Sequence, residues 1–303
     1  MRKQNVTLMA LCVALAVFNI ILFFGGDSSF GTVDTKRFAA LDTASFSTIS
    51  FLKGDQRVVL ERDGSWKVSG EQADGALLRI LMAVLSKVEV NKEVGGELRS
   101  TLIEKVEVDG VQLYINEGYQ YTIVGNDNLT KTYFIDEEQT VFEVGIPGYN
   151  DFIASIYGLS SLQWRDRTIF NGSVRTIQSL SLDFNEGSNL DIEFSGNFFR
   201  INQVNEVDTV KLENYLNQFI RLQANERIDL SAFPKYDSLS KTTPLVTLEV
   251  SNLIGEQLNV TIFPVLDSDK FHLMVSEEGD SFAFDTRRIG QLLRRPDYFT
   301  YQN

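Results

Sequence analysis

The stretch TISFLKGDQRVVLERDGSWKVS, Thr48 to Ser69, reads as three short strands joined by two tight turns. Thr48 to Leu52, Arg57 to Arg62 and Ser65 to Ser69 carry the β-branched and aromatic residues, while Gly54-Asp55 and Asp63-Gly64 fall between them. Gly beside Asp between such runs is a hairpin signal, because turns that match strand twist need positive φ. An antiparallel meander is predicted here. After it, Asp74 is placed to cap a helix whose apolar stripe is Leu78, Leu81, Met82, Leu85 and Val88. Four further strands, Val111 to Asn116, Gln120 to Val124, Thr132 to Asp136 and Thr140 to Val144, lead into a short helical stretch near Asn150 to Tyr157.

The pattern then returns. Leu180 to Phe184, Asn189 to Phe194 and Phe198 to Asn202 read as strands separated by Asn185-Glu186-Gly187 and Gly196-Asn197, and Asp208 precedes a second helical stripe of Leu212, Tyr215, Leu216, Phe219 and Leu222. Leu78 and Leu212, Leu81 and Tyr215, Met82 and Leu216, and Leu85 and Phe219 keep one constant offset. Leu245 to Ser251, Gln257 to Phe263, Phe271 to Val275, Ser281 to Asp285 and a helix over Arg287 to Leu293 match the second half of the first copy. Each copy closes on a related phrase, Trp164-Arg165-Asp166-Arg167 followed by Thr168-Ile169-Phe170 in one and Arg295-Pro296-Asp297-Tyr298-Phe299 in the other.

The expected class is α+β: an N-terminal transmembrane helix followed by two tandem repeated modules, each an antiparallel β-meander with a covering helix. The domains read as an anchor over 1–24, a linker over 25–37, a first module over 38–170 and a second over 171–303. Val6 to Phe24 carries no charge and follows Arg2 and Lys3. At about 1.5 Å per residue this stretch is long enough for a bilayer core of roughly 30 Å. Ala14-Leu15-Ala16 is the one triplet of signal-peptidase type, but bulky apolar residues follow it, so an uncleaved anchor is expected. The basic start places the N-terminus in the cytoplasm and the body outside the inner membrane. Cys12, the single cysteine, lies within that stretch, so no intramolecular disulfide is available. It lacks the small preceding residue of a lipoprotein and reads as membrane-buried.

A formal charge of −13 and the lack of a basic stripe exclude nucleic acid as a partner. Chemistry is sparse. His272 is the single histidine, within a strand-like run, and no G-x-S-x-G elbow presents a serine to it. Ser238-Leu239-Ser240-Lys241 matches S-x-x-K in what reads as a loop between Pro234 and Pro244, without its companion motifs. Glu61, Asp63, Asp136, Glu137 and Glu138 are the carboxylates available for glycoside hydrolysis, and they fall mostly at turns. Asp267-Ser268-Asp269 and Glu277-Glu278-Gly279-Asp280 could offer oxygens to calcium but do not follow the EF-hand spacing. No phosphate-binding loop of P-loop type occurs, which leaves any ATPase to another subunit. No catalytic residue, cofactor or metal ligand is assigned. Trp164, Arg165, Asp166 and Arg167 are the candidate latch or partner-binding residues, since Arg forks engage carboxylates and Trp and Arg are enriched at interface hot spots.

The basic start, the single apolar span, Val33-Asp34-Thr35-Lys36-Arg37-Phe38, Asp63-Gly64-Ser65-Trp66-Lys67-Val68 and Trp164-Arg165-Asp166-Arg167 together resemble the bacterial family domain of unknown function 4340. The resemblance implies a single-span envelope protein of the inner membrane, often encoded beside ABC transporter components of the gliding-motility type. The expected function is therefore a non-enzymatic, membrane-anchored accessory or scaffold subunit, with permease and ATPase subunits of an ABC transporter complex as partners. A ligand captured between the two repeats, or a carboxylate-dependent hydrolase of envelope carbohydrate, are the alternatives.

Overall fold

The computed structural model describes residues 34–40, 42–149, 152–266 and 270–301. Its strands are β1 (Thr48–Lys53), β2 (Gln56–Asp63), β3 (Ser65–Val68), β4 (Glu71–Gln72), β5 (Glu89–Val94), β6 (Val111–Ile115), β7 (Gly118–Gly125), β8 (Thr132–Ile135) and β9 (Val141–Gly145). There follow β10 (Thr168–Phe170), β11 (Ile177–Phe184), β12 (Leu190–Ser195), β13 (Phe198–Ile201), β14 (Leu222–Gln223), β15 (Glu226–Arg227), β16 (Val246–Asn252), β17 (Gln257–Ile262), β18 (Phe271–Ser276) and β19 (Ser281–Asp285). Large antiparallel sheets with few helices dominate the described residues, which corrects the α+β class expected from the sequence.

The physical reason lies in the apolar stripes. The second apolar stripe predicts a helix through Phe219 and Leu222, but the helix Thr209–Leu216 is two turns long, Asn217–Phe219 tightens to a 3-10 turn, and Leu222 enters β14. Arg221 at φ 52 breaks any continuation. Likewise Ile153–Gly158 is a 3-10 segment, while Glu89–Val94, which pairs with β9 as a strand, and the helix Gly96–Asp109 carry no sequence assignment. The predicted transmembrane helix over Val6 to Phe24 lies outside the described residues, as do Cys12 and Asp267-Ser268-Asp269. Among the described residues no helix is long and apolar enough to cross a membrane.

The chain folds as two compact units. The first comprises described residues within 34–43, 84–110 and 121–154, with strands in the order β7-β8-β9-β5. The helix Gly96–Asp109 covers one face through Leu102, against Val94, Val124, Tyr133, Ile135 and Val141. Phe38 packs edge-on to Tyr121, Phe134 and Phe142 at 5.2 to 5.4 Å between ring centroids. Arg37 closes that contact by pairing with Asp136 at 2.7 Å. Ala40 N–H donates to Leu85 O and Val90 N–H to Thr35 O, so the segment from Asp34 to Ala40 is stitched to this unit by backbone as well as by rings.

The second unit holds residues 44–83, 111–120 and those described after 154. One set of strands runs β4-β3-β2-β1-β6 and another β13-β12-β11-β16-β17-β18-β19-β15. Two pairs of these strand orders run alike. β3-β2-β1-β6 parallels β13-β12-β11-β16, and β7-β8-β9-β5 of the first unit parallels β17-β18-β19-β15. The caps agree too. Asp74 accepts from Ala76 and Leu77 N–H, Asp208 from Val210 and Lys211 N–H, and each caps the start of a helix as its position predicted. Asp74 N–H donates to Trp164 O and Asp208 N–H to Phe299 O, both at 2.8 Å, which makes Trp164 and Phe299 structural equivalents. The core of the eight-stranded sheet gathers Leu180, Leu182, Leu248 and Val250 against Leu212, Tyr215 and Leu216 of the helix.

Candidate functional site

Alternation along β12, β16, β17 and β11 from Ser179 onward sends every second side chain toward that core and leaves the others on one open face. The register makes rows of the outward residues. Ser179 lies opposite both Glu193 and Ser251, and Ser251 opposite Gln257. Ser181 lies opposite Asp191 and Glu249, and Glu249 opposite Asn259. Ser179 Oγ and Ser251 Oγ are 2.6 Å apart. At one rim Glu277 N–H donates to Asn259 O, and the Asn259 amide donates to Glu277 Oε2 at 3.3 Å.

These residues line a shallow hollow of about 520 Å³ that includes Asp191, Glu193, Glu249, Glu277 and Glu278 and no basic residue. Five carboxylates over an open sheet, separated by serine hydroxyls and amides, form a surface of acceptors. Among the described residues no three His, Cys, Asp or Glu side chains are grouped to hold a metal ion. The sequence analysis assigned no face here, because its assembly requires the register between four strands.

The four predicted latch residues form a second feature of this unit. Trp164 is fully buried, its ring parallel to Phe51 at 5.8 Å between centroids, and its Nε1 has no acceptor among the described residues. Arg165 pairs with Glu71 at 2.9 Å. Arg167 Nε donates to Asp74 Oδ2 at 2.9 Å and its Nη1 to Asn225 O at 2.7 Å. Asp166 N–H donates to Gln72 O, and its Oδ1 accepts from the Thr168 N–H and hydroxyl.

Arg227, a residue the sequence did not single out, completes the cluster. Its Nε donates to Asp166 O at 2.9 Å, and its Nη1 lies 3.0 Å from Asp280 Oδ1 in a direction that makes an ion pair without a hydrogen bond. The Phe282 ring lies beneath it, 5.0 Å from the guanidinium. Burial raises the Asp74 carboxyl, but hydrogen bonds from Leu77, Arg167 and Ala76, with the Arg167 charge, outweigh it and hold the group below its ordinary value. The cluster joins β4 and the start of the helix Gly75–Lys87 to β10, β15 and the β18–β19 turn.

The remaining candidates take structural places. His272 is buried on β18 with Nδ1 2.8 Å from Phe263 O. Ser238 lies in a short helix, Pro234–Leu239, where a loop was expected, and Lys241 binds Asp237 at 2.7 Å. Asp136 is held by Arg37 and accepts from Thr140 N–H, while Glu137 and Glu138 stand exposed in the same turn. Glu61 and Asp63 are exposed on β2. Of the carboxylates from Glu277 to Asp280, Glu277 and Glu278 belong to the open face and Asp280 to the arginine cluster. The chain matches no family model, no curated protein and no solved structure.

Proposed function

We propose that this chain is a non-enzymatic, membrane-tethered envelope protein that binds a partner through the open acidic face of β12-β11-β16-β17, as an accessory subunit of an ABC transporter-type complex. The observation that carries the binding role is that face: a broad sheet surface with five carboxylates, no lining cation and a hydrophobic reverse side already covered by the helix Thr209–Leu216. Carboxylates arranged this way favour a partner surface rich in Arg or Lys, which also steers encounter. The transporter link and the inner-membrane address rest on the sequence resemblance and on the uncharged stretch from Val6 to Phe24 with its basic start. Tethering raises the effective concentration of the face at a membrane partner.

Purification from membranes in mild detergent tests this. Transporter permease and ATPase subunits accompany the wild-type protein and are lost from a Glu193→Lys, Glu249→Lys double variant that folds normally. Recovery of wild type alone, or equal recovery of subunits with the variant, contradicts the proposal.

A further inference from the structure

The first unit has one end at which exposed apolar residues gather where the described chain begins. β8 pairs with β7 through Gly125 and Thr132, and with β9 through Thr132 and Val144, so the β7–β8 turn and the segment after β9 leave the sheet at the same end. Leu129 in that turn is 63% exposed and Tyr149 after β9 is 67% exposed. Tyr149 N–H donates to Ile146 O across Pro147 and Gly148, whose φ of 79 completes a tight turn that holds the ring outward. The helix Gly96–Asp109 is tied to this end by Lys105, which binds Asp127 at 2.6 Å and Asp109 at 3.3 Å. Val108, 77% exposed, sits in its last turn.

Lys36, Ala39, Lys87, Val88, Ile146 and Pro147 line a hollow of about 320 Å³ at this same end, with Glu89 at its rim. Glu89 opposes Gly145, which fixes the position of the hollow in the sheet. Among the described residues neither Lys36 nor Lys87 has a carboxylate partner for its ammonium. Asp34 and Glu89 balance these two lysines, so the surface is apolar with mixed charge at its edge.

We infer that this end of the first unit rests on a phospholipid bilayer, with Leu129, Tyr149 and Val108 in the headgroup layer. The inference rests on the reading of Val6 to Phe24 as a membrane anchor. Residues 25–33 separate that stretch from Asp34, and nine residues reach at most about 32 Å even when extended. The docked segment from Asp34 to Ala40 then places this end nearest the anchor. Tyr combines an apolar ring with a polar tip and is enriched at the headgroup level, and lysine stems lie along apolar surface with the ammonium reaching phosphate. Exposed apolar tips, and not net charge, make the contact, since the chain as a whole carries −13.

The test uses the full chain with Cys12→Ser in lipid nanodiscs, labelled at a single new cysteine in Leu129→Cys, Tyr149→Cys or, as control, Glu138→Cys. Glu138 precedes β9 and Tyr149 follows it, so the two stand at opposite ends of a strand of about 17 Å. With a nitroxide on the lipid headgroup, fluorescence is lost at positions 129 and 149 and retained at 138, in neutral lipid as in anionic lipid. Equal retention at all three sites while the protein stays in the nanodisc overturns the docking and leaves the anchor standing. Failure of the protein to enter nanodiscs overturns both.

Discussion

Arg167→Ala is the substitution that most sharply tests the arginine cluster as a structural latch. The Asp74 side chain is 2% exposed and that of Arg167 33%, so removing the guanidinium leaves a nearly buried carboxylate with only its two helix-cap donors. The charge-assisted bond to Asp74 contributes about 1.5–3 kcal/mol and the bond to Asn225 O about 1 kcal/mol. The partial exposure of Arg167 softens the loss, because water reaches the vacated position. A cost of about 3 kcal/mol at neutral pH follows, at the low edge of what breaking a buried pair costs. Urea unfolding at constant m-value reads it directly.

The sign with pH is fixed by the depressed Asp74 carboxyl. Its contribution is complete above the unfolded carboxylate value near 3.9 and is lost as pH falls through the lower folded value. The gap between wild type and Arg167→Ala is therefore full at pH 7 and closes as pH drops below about 4. Asp74→Asn combined with Arg167→Ala costs less than the sum of the single changes, since the pair is already broken. A loss under about 0.5 kcal/mol for Arg167→Ala, typical of a neutral surface site, refutes the latch.

Trp164→Ala removes a fully buried ring stacked on Phe51 and costs about 3–5 kcal/mol by thermal or urea unfolding. Tyr215→Phe leaves Leu292 O without its 2.9 Å donor and costs about 1–2 kcal/mol. Burial holds the Tyr215 phenol well above its ordinary value, so wild-type stability falls as pH rises past about 10 while the unfolded phenol ionises, and the Phe variant lacks that share of the loss in alkaline unfolding curves. Glu193→Lys with Glu249→Lys changes stability by less than about 0.5 kcal/mol, because both side chains lie on the open face.

Much of the strand pattern was legible because hairpin turns and alternation are local. Gly54, Gly64 and Gly196 take positive φ at turns the sequence marked, and Asp74 and Asp208 cap where predicted. The second helix was overextended because an apolar residue such as Leu222 reads the same on a helical stripe as on a short strand, and only the tertiary pairing of β14 with β10 decides. The helix Gly96–Asp109 was missed because only Leu102 of its residues is fully buried, which leaves no apolar stripe to read. The phrase from Trp164 to Arg167 pointed to a cluster, but the partners Glu71, Asp74, Asn225, Arg227 and Asp280 lie far along the chain. No local signal joins them. The acidic face was hidden for the same reason, since Asp191, Glu249 and Glu277 come together only through strand register.

Site-specific photocrosslinking in cells, with the probe at Ser181 on the open face and, as control, at Leu98 on the helix Gly96–Asp109, tests the proposed function most directly. The expected result is an adduct at Ser181 containing transporter permease peptides, lost on charge reversal of Glu193 and Glu249 and absent at Leu98. A Ser181 probe that captures no membrane subunit, or an adduct that survives the charge reversal, contradicts it.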